Sequence, residues 1–188
     1  MVNAGRPQIN RKSDDFDLEM LVRMRLSTSR LRVRQDSAMP EGRLHIRRSR
    51  RTDFVAVMEL LAATGTPVPP PDRATLRRFR ALVADLGSDF YLAFFEGTLA
   101  GLVHISYTRC LARPPAARIE QLLVAGAVRR RGIGSALLAF ARQRGQQRGC
   151  GTLSCCVPPP ATAAQAFLTR AGLQPQATCL AQELQVQP

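Results

Sequence analysis

Glu120 is the single acid in the run Ile119-Glu-Gln-Leu-Leu-Val124. A carboxylate among strand-like apolar residues needs a reason, because a buried charge without a partner is costly. Two readings are open: a general base that takes a proton directly or through water, or a carboxylate paired with Arg118 or another arginine for structure. Strand alternation puts Glu120 on one face with Leu122 and Val124, away from Ile119 and Leu123. The run is followed by Ala125-Gly-Ala-Val128 and then Arg129, Arg130, Arg131, Gly132, Ile133, Gly134 and Ser135. An apolar strand stops there and a glycine-punctuated turn opens into an amphipathic helix. Amide hydrogens at a helix start, added to the positive end of the helix dipole, attract anions, and glycines leave room for a phosphate to approach. Three consecutive arginines add charge. The plainer alternative is a turn that needs glycine before a basic helix.

The elements that must position these residues follow from periodicity. A strand is expected at 43–48, then a helix capped by Thr52 or Asp53 with Phe54, Val57, Met58 and Leu61 on its apolar face, ending at Gly65. The proline-rich stretch 66–71 cannot be helical. Asp72 opens a second helix through Leu76, Phe79, Val83 and Leu86, stopped by Gly87. Phe90–Phe95 and Thr98–Tyr107 read as strands joined by a Glu96-Gly97 hairpin turn. The strand holding Glu120 comes next. A helix over 132–148 follows, with Ile133, Ala136, Leu137 and Phe140 at helical spacing, then a short strand at 151–157, a helix at 161–171 and a closing strand or hairpin at 173–184. This order predicts a mixed α/β fold, α+β-like, with helices covering the sheet.

The turn read as Arg129-x-x-Gly132-x-Gly134 resembles the acetyl-CoA signature of the GNAT superfamily of N-acetyltransferases. Residues 118–124 resemble the strand before that turn, and Ala164 to Leu173, with Phe167, Leu168 and Gly172, resembles the late helix and the strand start after it. The resemblance covers roughly residues 43 to 184. It implies a central mixed sheet of about six or seven strands flanked by about four helices, with the Glu120 strand and the strand from Gly151 splaying to open a cleft. It further implies acetyl-CoA as acetyl donor, its diphosphate on the amides of Arg129, Arg130, Arg131, Gly132, Ile133, Gly134 and Ser135, and its pantetheine arm along the main chain of Leu122, Leu123 and Val124. The acceptor is then a small-molecule amine or a peptide N-terminus. An alkylamine is protonated at neutral pH and must lose a proton before it can attack; Glu120 is the candidate base. Two departures are plain: the tyrosine that protonates the leaving thiolate in the family is Leu168 here, and a common asparagine is replaced by Ala161. Water, Thr162, Ser154, Cys156 or Tyr107 could substitute, and a CoA-binding or regulatory domain with little turnover is the alternative function.

The chain has 188 residues and a net charge of +13, with Lys12 its one lysine. This length suits one domain at 43–188 after a basic extension at 1–42, in which Phe16, Met20 and Met24 could form a short helix. Met39, just ahead of the first strand, is a candidate for the true translation start. Residues 1–51 hold 13 basic and 6 acidic side chains, and the six arginines of 129–148 have no acid beside them in sequence, so a polyanion would be drawn there. The extension lacks interleaved aromatics, so specific nucleic-acid binding is not expected, only salt-sensitive association. An arginine-lined acceptor cleft would repel polyamines and aminoglycosides, although bound CoA would offset part of that charge; acidic or neutral amines stay open as well. Five cysteines without paired spacing predict neither disulfides nor a metal site; Cys155 and Cys156, facing opposite ways on a strand, read as packing residues, the alternative being that one of them borders an active cleft. His45 and His104 read as structural strand residues. With no membrane segment and no secretion signal, a cytoplasmic protein is expected, and a homodimer is compatible with it.

Overall fold

The computed structural model describes residues 43–157 and 162–176. Five strands form one sheet in the order of the chain: β1 (Leu44–Arg48), β2 (Ser88–Phe95), β3 (Thr98–Thr108), β4 (Ala116–Val124) and β5 (Thr152–Cys155). The first four are antiparallel neighbours and β5 runs parallel to β4. Helices α1 (Phe54–Ala63) and α2 (Arg73–Ala84) lie between β1 and β2 in the chain, α3 (Ile133–Gln147) joins β4 to β5, and α4 (Thr162–Arg170) follows β5. Among the described residues there are five strands rather than the six or seven expected. The closing strand expected at 173–184 lies mostly outside them, as does all of the helix expected near Phe16.

Each face of the sheet has its own apolar layer. On one face Val57, Leu60 and Phe79 of α1 and α2 pack on Phe90, Leu92 and Leu102. On the other, Ile133, Leu137, Leu138 and Ala141 of α3, with Leu168 of α4, cover Ala93, Val103, Ile105, Ala117 and Ile119. The hairpin turn at Glu96-Gly97 is left-handed at both residues (φ +51° and +82°), as a two-residue connection between antiparallel strands requires. Asp72 caps α2 as expected, accepting from the Thr75 amide at 2.8 Å. Asp53 departs from its expected role: it precedes α1 without a side-chain cap bond and instead accepts from the Arg50 amide (2.7 Å) and from both terminal nitrogens of Arg47 (2.8 Å each).

Two departures from regular pairing shape the region around Glu120. In the β3–β4 register His104 faces Gln121 but Ile105 faces Ile119, so Glu120 is the extra residue of a β-bulge. The β4–β5 pairing then stops at Ile119–Cys155. From Glu120 to Val124 the outer edge of β4 has no neighbouring strand among the described residues. At the same end Gly101 is pressed against β4 so closely that a Cβ there would lie 2.6 Å from the Leu123 carbonyl oxygen. Only glycine allows that approach.

Candidate active site

The bulge changes which face Glu120 occupies. Simple alternation groups it with Leu122 and Val124; instead Leu122 and Val124 join Ile119 in the layer under α3 and α4, and Leu123 joins the layer under α1 and α2. One inserted residue reverses the phase of the strand, because the side-chain period is two. Glu120 is thereby placed on the α2 side of the sheet, where it lines an open cleft of about 500 Å³ with Leu82, Asp85, Ser88, His104, Ser106 and Gln121.

Within this cleft the Ser106 hydroxyl donates to Glu120 Oε1 at 2.6 Å. Arg118 Nε stands 3.7 Å from the same oxygen, with both side chains well exposed at 44 % and 36 %, so the ion pair contributes little to stability. The Arg118 guanidinium also reaches Cys156 Sγ at 3.0 Å. His104, set aside in the sequence as a structural side chain, is a cleft residue: its ring packs against Phe90 at 5.4 Å and its Nε2 is buried with no hydrogen-bond partner. Burial pushes the imidazole below its ordinary value, against the opposing pull of Glu120 and Asp85. Burial thus favours the neutral imidazole. A signal for it existed in the sequence, since an even-numbered polar pair, His104 and Ser106, interrupts the face that carries Leu102.

At the end of β4 the chain turns through a 3-10 segment, Gly126–Val128, closed by Val128 N–H to the Ala125 carbonyl (3.1 Å) and Arg129 N–H to the Gly126 carbonyl (3.3 Å). Arg130 and Gly132 then adopt left-handed conformations, φ +62° and +75°. For Arg130 this is strained, and such strain clusters at functional turns. The first helical bond is Ala136 N–H to the Gly132 carbonyl at 2.9 Å, and the amides of 130–135 make no hydrogen bond to any described residue. Ile133 buries its side chain beneath the turn while its amide stays on this unpaired stretch. Arg129 reaches the Val124 carbonyl only weakly, at 3.5 Å, and Arg131 lies 5.6 Å from the Phe95 ring.

Not all six arginines of 129–148 are available to a ligand. Asp89, on β2, is fully buried (0 % exposed) and accepts from Arg144 (2.9 and 3.0 Å), Arg148 (3.0 Å) and the Tyr107 hydroxyl (2.8 Å). Arg142 donates to the Ala171 carbonyl. The acid that answers these arginines thus comes from a distant strand. Tyr107 is excluded as the substitute acid: it sits on the α3 face, opposite the cleft, with its proton held by Asp89, and burial followed by that hydrogen bond pushes its pKa well above the ordinary tyrosine value. Leu168, in place of the expected tyrosine, is a core residue at 8 % exposure. Cys155 is half-buried, with burial raising its thiol, and Cys156 is exposed.

A model of the acetyltransferase (GNAT) family matches residues 54–173, well over half of the chain. The chain belongs to the GNAT acetyltransferase family. Its fold is that of known members and neighbours at low identity. A transcriptional regulator from Bacillus halodurans C-125 superposes with a TM-score of 0.69 at 21% identity, covering 76% of this chain and all of the other. Glucosamine-6-phosphate N-acetyltransferase from Arabidopsis thaliana gives 0.66 at 16% identity over 77% of this chain and all of its own. The aminoglycoside acetyltransferase AAC(6')-Iy, in complex with a CoA-containing bisubstrate analog, gives 0.66 at 18% identity over 77% and 100%. No curated protein matches the chain in sequence. No helix among the described residues is long and apolar enough to cross a membrane.

Proposed function

We propose that this GNAT-family chain is an acetyl-CoA-dependent N-acetyltransferase that transfers the acetyl group directly to a primary amine. The observation that carries this reading is the edge of β4 from Glu120 to Val124, unpaired among the described residues and leading straight into a turn whose amides at 130–135 bond to none of them. An extended chain of amides fits such an edge as a strand would, and a diphosphate fits unpaired amides at a helix start beside arginines. The amides of Arg130, Arg131, Gly132, Ile133, Gly134 and Ser135 would hold the diphosphate; the Arg129 amide, expected among them, is taken by the Gly126 carbonyl, so Arg129 would act through its side chain. The main chain of Leu122, Leu123 and Val124 would hold the pantetheine arm. When bound, acetyl-CoA supplies a thioester as acyl donor.

The remaining chemistry falls to the cleft. Glu120, fixed by Ser106, takes a proton from the acceptor ammonium and leaves the nitrogen lone pair free to attack. The protein needs no covalent intermediate, since holding the amine beside the donor supplies most of the advantage. The departing sulfur has no tyrosine to protonate it, yet a thiol with a pKa of about 8.5 leaves tolerably as thiolate. Isothermal titration should show acetyl-CoA binding in the micromolar range, and no binding would remove the assignment. With thiol release as readout over a panel of primary amines, Glu120→Gln should lower kcat/KM by about a hundredfold while leaving cofactor binding intact.

A second reading, a CoA-binding domain with little turnover, is favoured by the burial of Leu168 in the core where the family places its acid. It predicts normal cofactor binding and no acetylated product with any amine.

A further inference from the structure

His104 is a buried titratable group that the transfer chemistry above leaves unused. Its Nε2 is enclosed and has no hydrogen-bond partner among the described residues, its ring packs on Phe90 at 5.4 Å, and it lines the same cleft as Glu120. An enclosed polar atom without a partner costs stability, and each such exception in a folded chain needs an explanation.

The sheet sets His104 beside the base. His104 and Ser106 are alternate residues of β3, about 7 Å apart along one face, and Glu120, the extra residue of the β4 bulge, falls between the pairs His104–Gln121 and Ile105–Ile119. The Ser106 hydroxyl holds the Glu120 carboxylate at 2.6 Å. His104 is its other neighbour on β3, across a strand spacing of about 5 Å. The charges around the imidazole come from two further elements: Glu120 on β4, with Arg118 beside it, and Asp85 after α2, which also feels Arg148. Burial favours the neutral ring at rest, while the two carboxylates stabilise an imidazolium once it forms.

The proton to be moved calls for such a group. An alkylammonium titrates near about pH 10 and a carboxylic acid near about pH 4, so transfer to a carboxylate alone is uphill by about six pH units, and an ordinary imidazole at about 6.5 recovers about two of them. We propose that His104 is the second proton acceptor of the cleft: the acceptor ammonium gives its proton to the Glu120 carboxylate, and the Glu120 carboxyl passes it to the free Nε2 of His104. This rests on the acetyltransferase reading and extends its base from one residue to a pair. The amine nitrogen keeps the lone pair that attacks the thioester, Glu120 returns to carboxylate, and the imidazolium releases its proton to water through the open cleft. His104 acts through Glu120 and does not touch the amine, so it is a positioning residue for the proton.

The test removes the imidazole and keeps a ring against Phe90. With acetyl-CoA saturating and butylamine as the acceptor probe, His104→Phe should lower kcat about tenfold near neutral pH, with KM for the amine and acetyl-CoA affinity little changed. The ratio of wild type to variant should shrink toward one as pH falls through the His104 titration, because an imidazolium has no lone pair left to accept with. In a Glu120→Gln background the same substitution should cost nothing further, since the path to His104 is already cut. A ratio that is the same at every pH, or losses that multiply in the double variant, overturns the proposal. A second measurement leaves His104 in place and needs no turnover. The chain has only two histidines, and in an NMR titration of the full chain Glu120→Gln should move the His104 imidazole to lower pH, because a carboxylate that favours the imidazolium is gone; an unmoved titration also overturns the proposal. Failure of acetyl-CoA to bind would instead strike the acetyltransferase reading, and the imidazole titration tells that failure from this one.

Discussion

Asp89 shows how much one side chain can fix. Its carboxylate is fully buried and accepts hydrogen bonds from two guanidinium groups and a phenol, with a third guanidinium, that of Arg48, at 3.6 Å. Burial pushes the carboxyl up, but the Tyr107 hydroxyl and Arg144 and Arg148 outweigh it and hold the group below its ordinary range. Because the folded-state value is depressed, the stabilisation is fully present above the unfolded value of about 4 and is lost as pH falls through the folded one. Asp89→Asn, which keeps the shape and removes the charge, should lower unfolding free energy by about 3–5 kcal/mol in urea titrations near pH 7, and it should flatten the stability curve below about pH 4 relative to the wild type. A variant as stable as the parent would show that the arginines find other partners. Nothing in the sequence pointed to this residue: Ser88 and Asp89 follow Gly87 and precede an aromatic run, so they read as loop, and the arginines they meet lie more than fifty residues away. Glu120 was legible as a chemical oddity in an apolar strand, but its neighbours were not, since a bulge depends on how two strands register and single-strand alternation does not contain it.

At the level of elements, most of the architecture could be read from periodicity and punctuation. The Glu96-Gly97 turn, the Asp72 cap and the helix after Gly132 all follow from local rules, with bounds shifted by a residue or two. What local rules missed is where pairing stops. The split of β4 from β5 after Ile119 is a long-range property, as is the contact that makes Gly101 obligatory. Helix α4 is mounted on the sheet by Leu168, with Phe167 packed beside it against the same layer. Restoring the family residue by Leu168→Tyr should therefore place a hydroxyl and extra volume in a filled site and cost about 1–3 kcal/mol by thermal or urea unfolding. If the variant instead kept its stability and gained turnover, α4 would have room to present an acid to the cleft, and low activity in the parent would trace to that one position.

At the scale of the molecule, charge is spread unevenly. A net +13 sits on the chain, yet the cleft wall holds two acids, Asp85 and Glu120, among its seven residues and no arginine, and the turn at 130–135 is where Arg129, Arg130 and Arg131 gather. Steering of a polyanion by such a field weakens as ions screen it. Raising salt from about 0.1 to about 1 M shortens the screening length from about 10 to about 3 Å, and acetyl-CoA affinity measured by titration should fall by about tenfold or more over that range. A salt-independent affinity would mean that the arginines play no part. The buried carboxylate of β2 has one more consequence. Helix α3 is 15 residues long, about 22 Å, and Asp89 rivets its tail to the sheet while its head bears the open amides. A rod clamped at one end cannot swing at the other. Whatever docks on that head meets donors already aligned, and loses little freedom in ordering them.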